Sequence, residues 1–196
     1  MAGHYTARPK EENKMTRKFI YLTLIISLSA AIASGQGKQP KTVRDFFNAL
    51  PDKYFSLDCC MMLPRSKRKA EYLKRYLTVE DTANGYLSGS GDAAQEGFVM
   101  ALFKRPNGTY LIGFYTFGEG GVGDTPWTVF LNYSAGKWTD VSRTVVANYN
   151  KQKYIYELPQ KGTTVEVFAK DENGDGYKGK KLHDLAWKNG KFLRQK

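Results

Sequence analysis

Apolar and polar positions change their pattern near residue 85. From there onward, short runs rich in aromatic and β-branched residues are broken by turn signals about every ten residues, which is typical of an antiparallel β meander. The strongest hairpin joins 98–104 to 110–117, because Asn107-Gly108 readily takes the positive φ angles of a tight turn. Further strands are predicted at 127–133, 137–147, 153–158, 163–170 and 182–194.

The two strands of this hairpin carry apolar residues on both alternating faces. Segments 98–103 (FVMALF) and 110–117 (YLIGFYTF) therefore belong at the centre of a sheet that is covered on both sides. A pair of helices is expected to cover one side. A second sheet layer, a partner surface or a ligand cavity covers the other side, and the pattern leaves these three open.

Helical spacing precedes the strands. Thr42 is expected to cap a short helix that ends at Pro51, with Asp45 in its first turn. The apolar stripe of this helix comprises Val43, Phe46, Phe47 and Leu50. A second, amphipathic helix is predicted over 64–77, where Pro64 begins it and apolar residues recur at helical spacing.

The second helix is strongly basic. It carries six cationic side chains and one carboxylate, that of Glu71, so the cations form a candidate anion-binding surface. The six are Arg65, Lys67, Arg68, Lys69, Lys74 and Arg75. The alternative interpretation is a solvated helix face with no ligand.

These patterns predict an α+β fold, with N-terminal helices packed on a mainly antiparallel β-sheet (a meander) of about six to eight strands. A single domain is expected over 42–196, after a flexible polar linker at 36–41. With 196 residues, of which 41% are hydrophobic, the chain can close one core.

The N-terminal apolar run has the order of a secretory signal peptide. Basic residues precede 19–33, and the small-residue pattern Ala31-Ile32-Ala33 ends it. The run is shorter than the ~20 residues that a membrane-spanning helix needs. We therefore expect an N-terminal extension and signal peptide over 1–35, with the signal at about 15–35, and export to the periplasm or outside the cell. A retained anchor remains an alternative, and Met1 and Met15 are both candidate starts.

The charge balance favours an anionic partner. The chain carries a net charge of +11, and removal of residues 1–35 leaves +8. In an exported protein, this predicts binding to a membrane surface, an anionic envelope polymer or an acidic protein, and export argues against nucleic acid. The alternative is that basicity serves only solubility.

The only two cysteines are adjacent. The Cα atoms of Cys59 and Cys60 are expected about 3.8 Å apart, below the usual ~4.4–6.8 Å range of a disulfide. Their neighbours are apolar, so we expect two free cysteines that pack as small buried hydrophobes.

A short D-x-N-x-D-G run resembles the calcium loops of EF-hand, dockerin and FG-GAP-type repeats. The resemblance implies that Asp171, Asn173 and Asp175 ligate Ca²⁺ through side-chain oxygens and Tyr177 through its carbonyl. It then fails, because Leu182 occupies the position where EF-hands place a bidentate Glu. A plain turn between two strands is the competing interpretation.

Catalytic residue patterns are sparse. His183 lies in a predicted strand and is expected at the surface, and the Gly-rich stretch 117–124 precedes a strand rather than the helix that phosphate loops require. At the exit of that stretch, Asp124 and Trp127 offer a charge and an aromatic face as a candidate recognition loop. Candidate acids for a hydrolase that uses only carboxylates are Glu96, Glu119, Asp124, Asp140 and Glu157.

Export, basicity and the scarcity of catalytic patterns together favour a non-catalytic binding module of the bacterial envelope or extracellular space, without a cofactor. Two alternatives remain: a carboxylate-dependent hydrolase and a calcium-stabilised structural module.

Overall fold

A computed structural model describes residues 39–92, 95–118, 126–171 and 178–195. They lie in one compact unit that spans 39–196. The predicted signal peptide lies outside the described residues. Among the residues that the structure describes, no helix is both long and apolar enough to cross a bilayer.

Three α-helices and two short 3₁₀ turns occur in the described ranges. They are α1 (Val43–Ala49), the 3₁₀ turns Asp52–Tyr54 and Asp58–Cys60, α2 (Arg65–Tyr76) and α3 (Ser142–Val145). A capping box begins α1: the Asp45 amide donates to Thr42 Oγ1 at 3.1 Å, and the Thr42 amide donates to Asp45 Oδ2 at 3.0 Å. These bonds satisfy two amides that the first helical turn leaves without partners.

The strands form two antiparallel sheets. They are β1 (Leu77–Asp81), β2 (Tyr86–Gly89), β3 (Gly97–Lys104), β4 (Tyr110–Phe117), β5 (Trp127–Ser134), β6 (Lys137–Asp140), β7 (Tyr154–Glu157), β8 (Thr164–Lys170), β9 (Lys178–Lys188) and β10 (Lys191–Arg194). The larger sheet has the order β1-β2-β3-β4-β5-β6, and the smaller has the order β10-β9-β8-β7.

Helices cover one face of the larger sheet. Phe98 and Phe114 point to this face and stack at 5.8 Å between ring centroids. Phe47 of α1 stacks on Phe98 at 4.4 Å, while Tyr72 of α2 meets Phe55 edge to face. All five rings are buried, so this core is largely aromatic.

The smaller sheet covers the opposite face. Because side chains alternate along a strand, Phe103 of β3 and Phe130 of β5 point away from the helices. They contact Phe192 of β10 at 5.0 and 4.9 Å between centroids. Of the three covers that the apolar pattern allowed for this face, the structure therefore has a second sheet layer.

The mainly antiparallel β architecture is confirmed, and its division into two sheets is one of the three alternatives that the sequence left open. The helices are few, and the first described one begins at residue 43. The expectation of about six to eight strands was too low, since the described residues contain six in one sheet and four in another. Strand β1 was missed because it follows α2 directly and is an exposed edge strand without clear alternation.

The expectation of two free cysteines was wrong. Cys59 and Cys60 form a disulfide, with Cα atoms 3.8 Å apart. The Cα separation is the expected one, but the bond joins the two Sγ atoms, which meet at the 3₁₀ turn Asp58–Cys60.

Candidate functional site

Ion pairs engage two of the six predicted anion-binding cations. Arg65 Nε lies 2.7 Å from Asp52 Oδ2, and Arg75 Nε lies 2.7 Å from Glu71 Oε1, one helical turn away. Both pairs are at the surface, where such contacts contribute little to stability and leave the guanidinium in water.

Two other cations bind backbone carbonyls. Arg68 donates to the carbonyls of Leu63 and Met61 at 3.0 and 3.1 Å. Lys69 Nζ donates to the carbonyls of Asn48 (3.0 Å) and Leu50 at the end of α1, where the helix leaves its last carbonyls without amide partners. Burial lowers the pKa of Lys69 to about 8, against the attraction of Asp52.

The remaining two cations and two methionines just before α2 are exposed. Lys67 and Lys74 lie seven residues apart on α2, and neither ammonium group has an ion-pair or hydrogen-bond partner among the described residues. Directly before α2, Met62 is 99% exposed and Met61 is 61% exposed. We call Met61 and Met62 the methionine tip. The Arg68 guanidinium donates to the Met61 carbonyl, and this hydrogen bond places a positive charge beside the methionine tip.

A cleft on another part of the unit brings together a carboxyl pair and an aromatic wall. It has a volume of about 340 Å³ and is lined by Asp52, Lys53, Tyr54, Phe55, Ser56, Asp58, Glu96 and Trp127. Burial raises the pKa of the half-buried Glu96, and the Asp58 carboxylate raises it further. Trp127 is half-buried and lies under Lys151, whose Nζ is 5.3 Å from the ring centroid.

Gln95 connects two chain segments that line this cleft. Its side chain is almost fully buried and bridges the chain across 39 residues: Nε2 donates to the Ser56 carbonyl at 2.8 Å, and Oε1 accepts from the Cys59 amide at 3.1 Å. The Tyr72 hydroxyl also donates to the Glu96 carbonyl at 3.0 Å. These three bonds fix the backbone that carries Glu96.

Of the other candidate acids, the two that the structure describes do not join Glu96 in the cleft. Asp140 Oδ1 accepts from the Ser142 hydroxyl at 2.7 Å, and Glu157 pairs with Lys178 at 2.9 Å. Glu119 and Asp124 lie outside the described residues, so only Trp127 of the predicted recognition loop is described. The acid beside Glu96 is Asp58, which sequence reasoning missed because no local pattern connects positions 38 residues apart.

The predicted calcium ligands Asn173, Asp175 and Tyr177 also lie outside the described residues. Asp171 directly follows β8. Within the described ranges, no group of three or more His, Cys, Asp or Glu side chains is placed to hold a metal ion. His183 is half-buried, and its pKa is lowered by burial and by Arg194.

Comparison of the chain with protein-family models, curated proteins and solved structures gives no match.

Proposed function

We propose that this protein is an exported, non-catalytic binding module that attaches to the surface of an anionic lipid bilayer. The observation that carries the proposal is the methionine tip: two consecutive exposed methionines beside the cationic start of α2. Export follows the signal-peptide pattern at about 15–35, and the net charge of +8 after its removal has the sign that an anionic surface attracts.

The two kinds of side chain contribute separate attractive free energies. Full burial of a methionine side chain is worth about 1.5–3 kcal/mol. A lysine or arginine near an anionic bilayer contributes about 1 kcal/mol. Stable attachment of a peripheral protein to a bilayer generally needs two such signals, and the tip with Lys67 and Lys74 supplies both.

The methionines favour a bilayer over the other anionic partners. A hydrophilic envelope polymer offers no apolar phase in which Met62 could leave water. An acidic protein would need an apolar pocket that matches the tip. Only the bilayer takes both groups without further requirements, because its headgroups meet the cations and its acyl boundary takes the methionines.

Co-sedimentation of residues 36–196 with vesicles tests the proposal, since the compact unit begins at residue 39. Sedimentation is expected with vesicles that contain phosphatidylglycerol and not with pure phosphatidylcholine. High salt should weaken it without abolishing it, because salt screens the lysines and not the methionines. Binding to isolated cell-wall sacculi and not to vesicles would refute the proposal in favour of a polymer.

Three double variants assign the surface. Met61→Ser with Met62→Ser, and Lys67→Gln with Lys74→Gln, should each reduce vesicle binding. The matched control is Leu182→Ser with Leu193→Ser, which removes two exposed leucines from the smaller sheet and should bind as wild type. Equal losses in all three variants would show that binding does not depend on the methionine tip.

The carboxyl pair favours a second candidate function, glycan hydrolysis. Glycosidases use two carboxyl groups. One has a raised pKa and acts as the general acid, and the other acts as the base or the nucleophile. Trp127 adds an aromatic face of the kind on which a sugar ring can stack.

Release of reducing ends from cell-wall glycan and soluble polysaccharide tests this second function. Activity should fall as pH rises through the raised pKa of Glu96, and Glu96→Gln should abolish it. Glu157→Gln, which changes a carboxylate on the smaller sheet, is the control. Release by the wild type that is no faster than in buffer would rule out glycan hydrolysis.

A further inference from the structure

A second pocket lies at the far end of the β3–β4 hairpin from the cleft. It has a volume of about 430 Å³ and lies between this hairpin, β5, α3 and the β9–β10 turn. Its lining comprises Arg105, Pro106, Asn107, Asn132, Val141, Thr144, Val145 and Gly190. Among the described residues that line it, Arg105 has the only charged side chain and none is a carboxylate.

The tight turn after β3 fixes the position of Arg105. Its amide donates to the Thr109 carbonyl at 2.8 Å, and its carbonyl accepts from the Gly108 amide at 3.0 Å. Gly108 has a φ of +80°, which a residue with a Cβ rarely adopts. The backbone therefore presents the guanidinium to the pocket from a rigid turn.

The charge of Arg105 has no anionic partner among the described residues. Nη2 donates to Asn132 Oδ1 at 2.6 Å, and Nε is buried without an acceptor. Burial lowers the pKa of Arg105, and no neighbouring carboxylate opposes this effect. A partly buried cation without a counter-ion is unfavourable, so a bound anion would stabilise it.

The rest of the lining restricts the kind of anion. A guanidinium can only donate hydrogen bonds, so the Asn132 side chain turns its oxygen toward Arg105. The Asn132 amide nitrogen is therefore able to donate a hydrogen bond to another group. The Thr144 hydroxyl is a further polar group on the lining. Val141, Val145 and Pro106 supply apolar walls, which a bare inorganic anion would not use.

We propose that this pocket binds a small organic carboxylate that carries a short apolar chain. The carboxylate pairs with the Arg105 guanidinium, the Asn132 amide lies beside it, and the chain lies against Val141 and Val145. The site is separate from the methionine tip and does not depend on membrane attachment.

Titration of the full chain with acetate, butyrate and inorganic phosphate tests the ligand class. Butyrate is expected to shift the amide resonances of Asn132, Thr144 and Gly190 and to bind more tightly than acetate or phosphate. Phosphate that binds as tightly as butyrate would overturn the assignment, because the apolar walls would then play no part. Shifts that are absent from these three amides would also overturn it.

Variants test the role of the guanidinium. Arg105→Gln should weaken butyrate binding at least about tenfold, since hydrogen bonds to a charged group contribute about 1.5–3 kcal/mol and 1.4 kcal/mol corresponds to tenfold. Arg143→Gln, at an exposed arginine of α3, is the control and should bind as wild type.

A second pair of variants covers the case in which Arg105→Gln does not fold. Thr144 is exposed and lines the pocket, so Thr144→Glu places a carboxylate of the chain itself beside Arg105 and should abolish butyrate binding. Thr144→Gln has the same size without the charge and should retain binding. Equal binding by these two variants would contradict the proposal.

Discussion

Lys69 offers a test of how this fold tolerates a buried cation. Its ammonium group binds two carbonyls at the end of α1 and lies 5.8 Å from the centroid of the Phe47 ring. Burial lowers its pKa from the ordinary 10.5 to about 8. The unfolded chain therefore binds more protons than the folded chain between these two pH values, and stability must rise with pH across that window.

The structure sets the size of this effect. The difference between a pKa of about 8 and the ordinary 10.5 corresponds to about 3 kcal/mol at most. Lys69 is half-buried, and solvent screening reduces this figure, so we expect about 1–2 kcal/mol. Lys69→Met keeps much of the apolar stem and removes the titrating group. Only part of this effect develops below pH ~9.5, because the ordinary pKa of 10.5 lies above that pH. The free energy of unfolding of wild type minus that of the variant should therefore increase by roughly 0.5–1 kcal/mol between pH ~7 and ~9.5.

Urea denaturation of wild type and Lys69→Met at several pH values measures this difference. The range stops near pH ~9.5 because burial raises the pKa of Tyr72, and ionisation of tyrosines in the unfolded chain then lowers stability. Lys74→Met, at an exposed lysine of the same helix, is the control and should show little change with pH. A constant difference between wild type and Lys69→Met over this range would refute the reasoning.

Two further predictions concern the groups that hold the cleft and the helix-side core. Gln95→Leu leaves the Ser56 carbonyl and the Cys59 amide without their partner and should lower the free energy of unfolding by about 1–3 kcal/mol, whereas Gln152→Leu at an exposed glutamine should not. Chemical denaturation measures both, and similar values would contradict the role of Gln95. Phe98→Ala removes a fully buried ring and should cost about 3–5 kcal/mol in the same assay, so a loss below about 1 kcal/mol would show that this core is loosely packed.

The central hairpin could be predicted because its signals are local. Alternation places Phe98 and Phe103 on opposite faces, and Asn107-Gly108 marks the turn, where Gly108 has the predicted positive φ and Asn107 does not. The cover of the outer face could not be predicted. An apolar face has the same spacing whether a second sheet, a partner or a ligand lies against it.

The candidate sites show the same limit. Glu96 could be identified as a candidate acid. Its neighbour Asp58 could not, because the hydrogen bonds of Gln95 to Ser56 and Cys59 bring the two segments together, and a contact between such distant residues leaves no periodic pattern in the sequence. Likewise, the basic character of α2 is evident from its composition. Lys69 is withdrawn from the basic surface because its ammonium group binds carbonyls at the end of α1. This contact depends on how the two helices pack, which their sequences do not specify locally.

The order of the layers along the chain has a consequence for biosynthesis. Helices α1 and α2 and the six strands of the larger sheet lie within 43–140, whereas the smaller sheet comprises residues from 154 to 194. During translation from the N-terminus, Phe103 and Phe130 therefore emerge before the strands that shield them. Until the last hairpin has left the ribosome, the apolar face of the larger sheet that carries Phe103 and Phe130 is exposed to solvent. This makes it a natural client for a holding chaperone, and a chain that stops near residue 150 should aggregate.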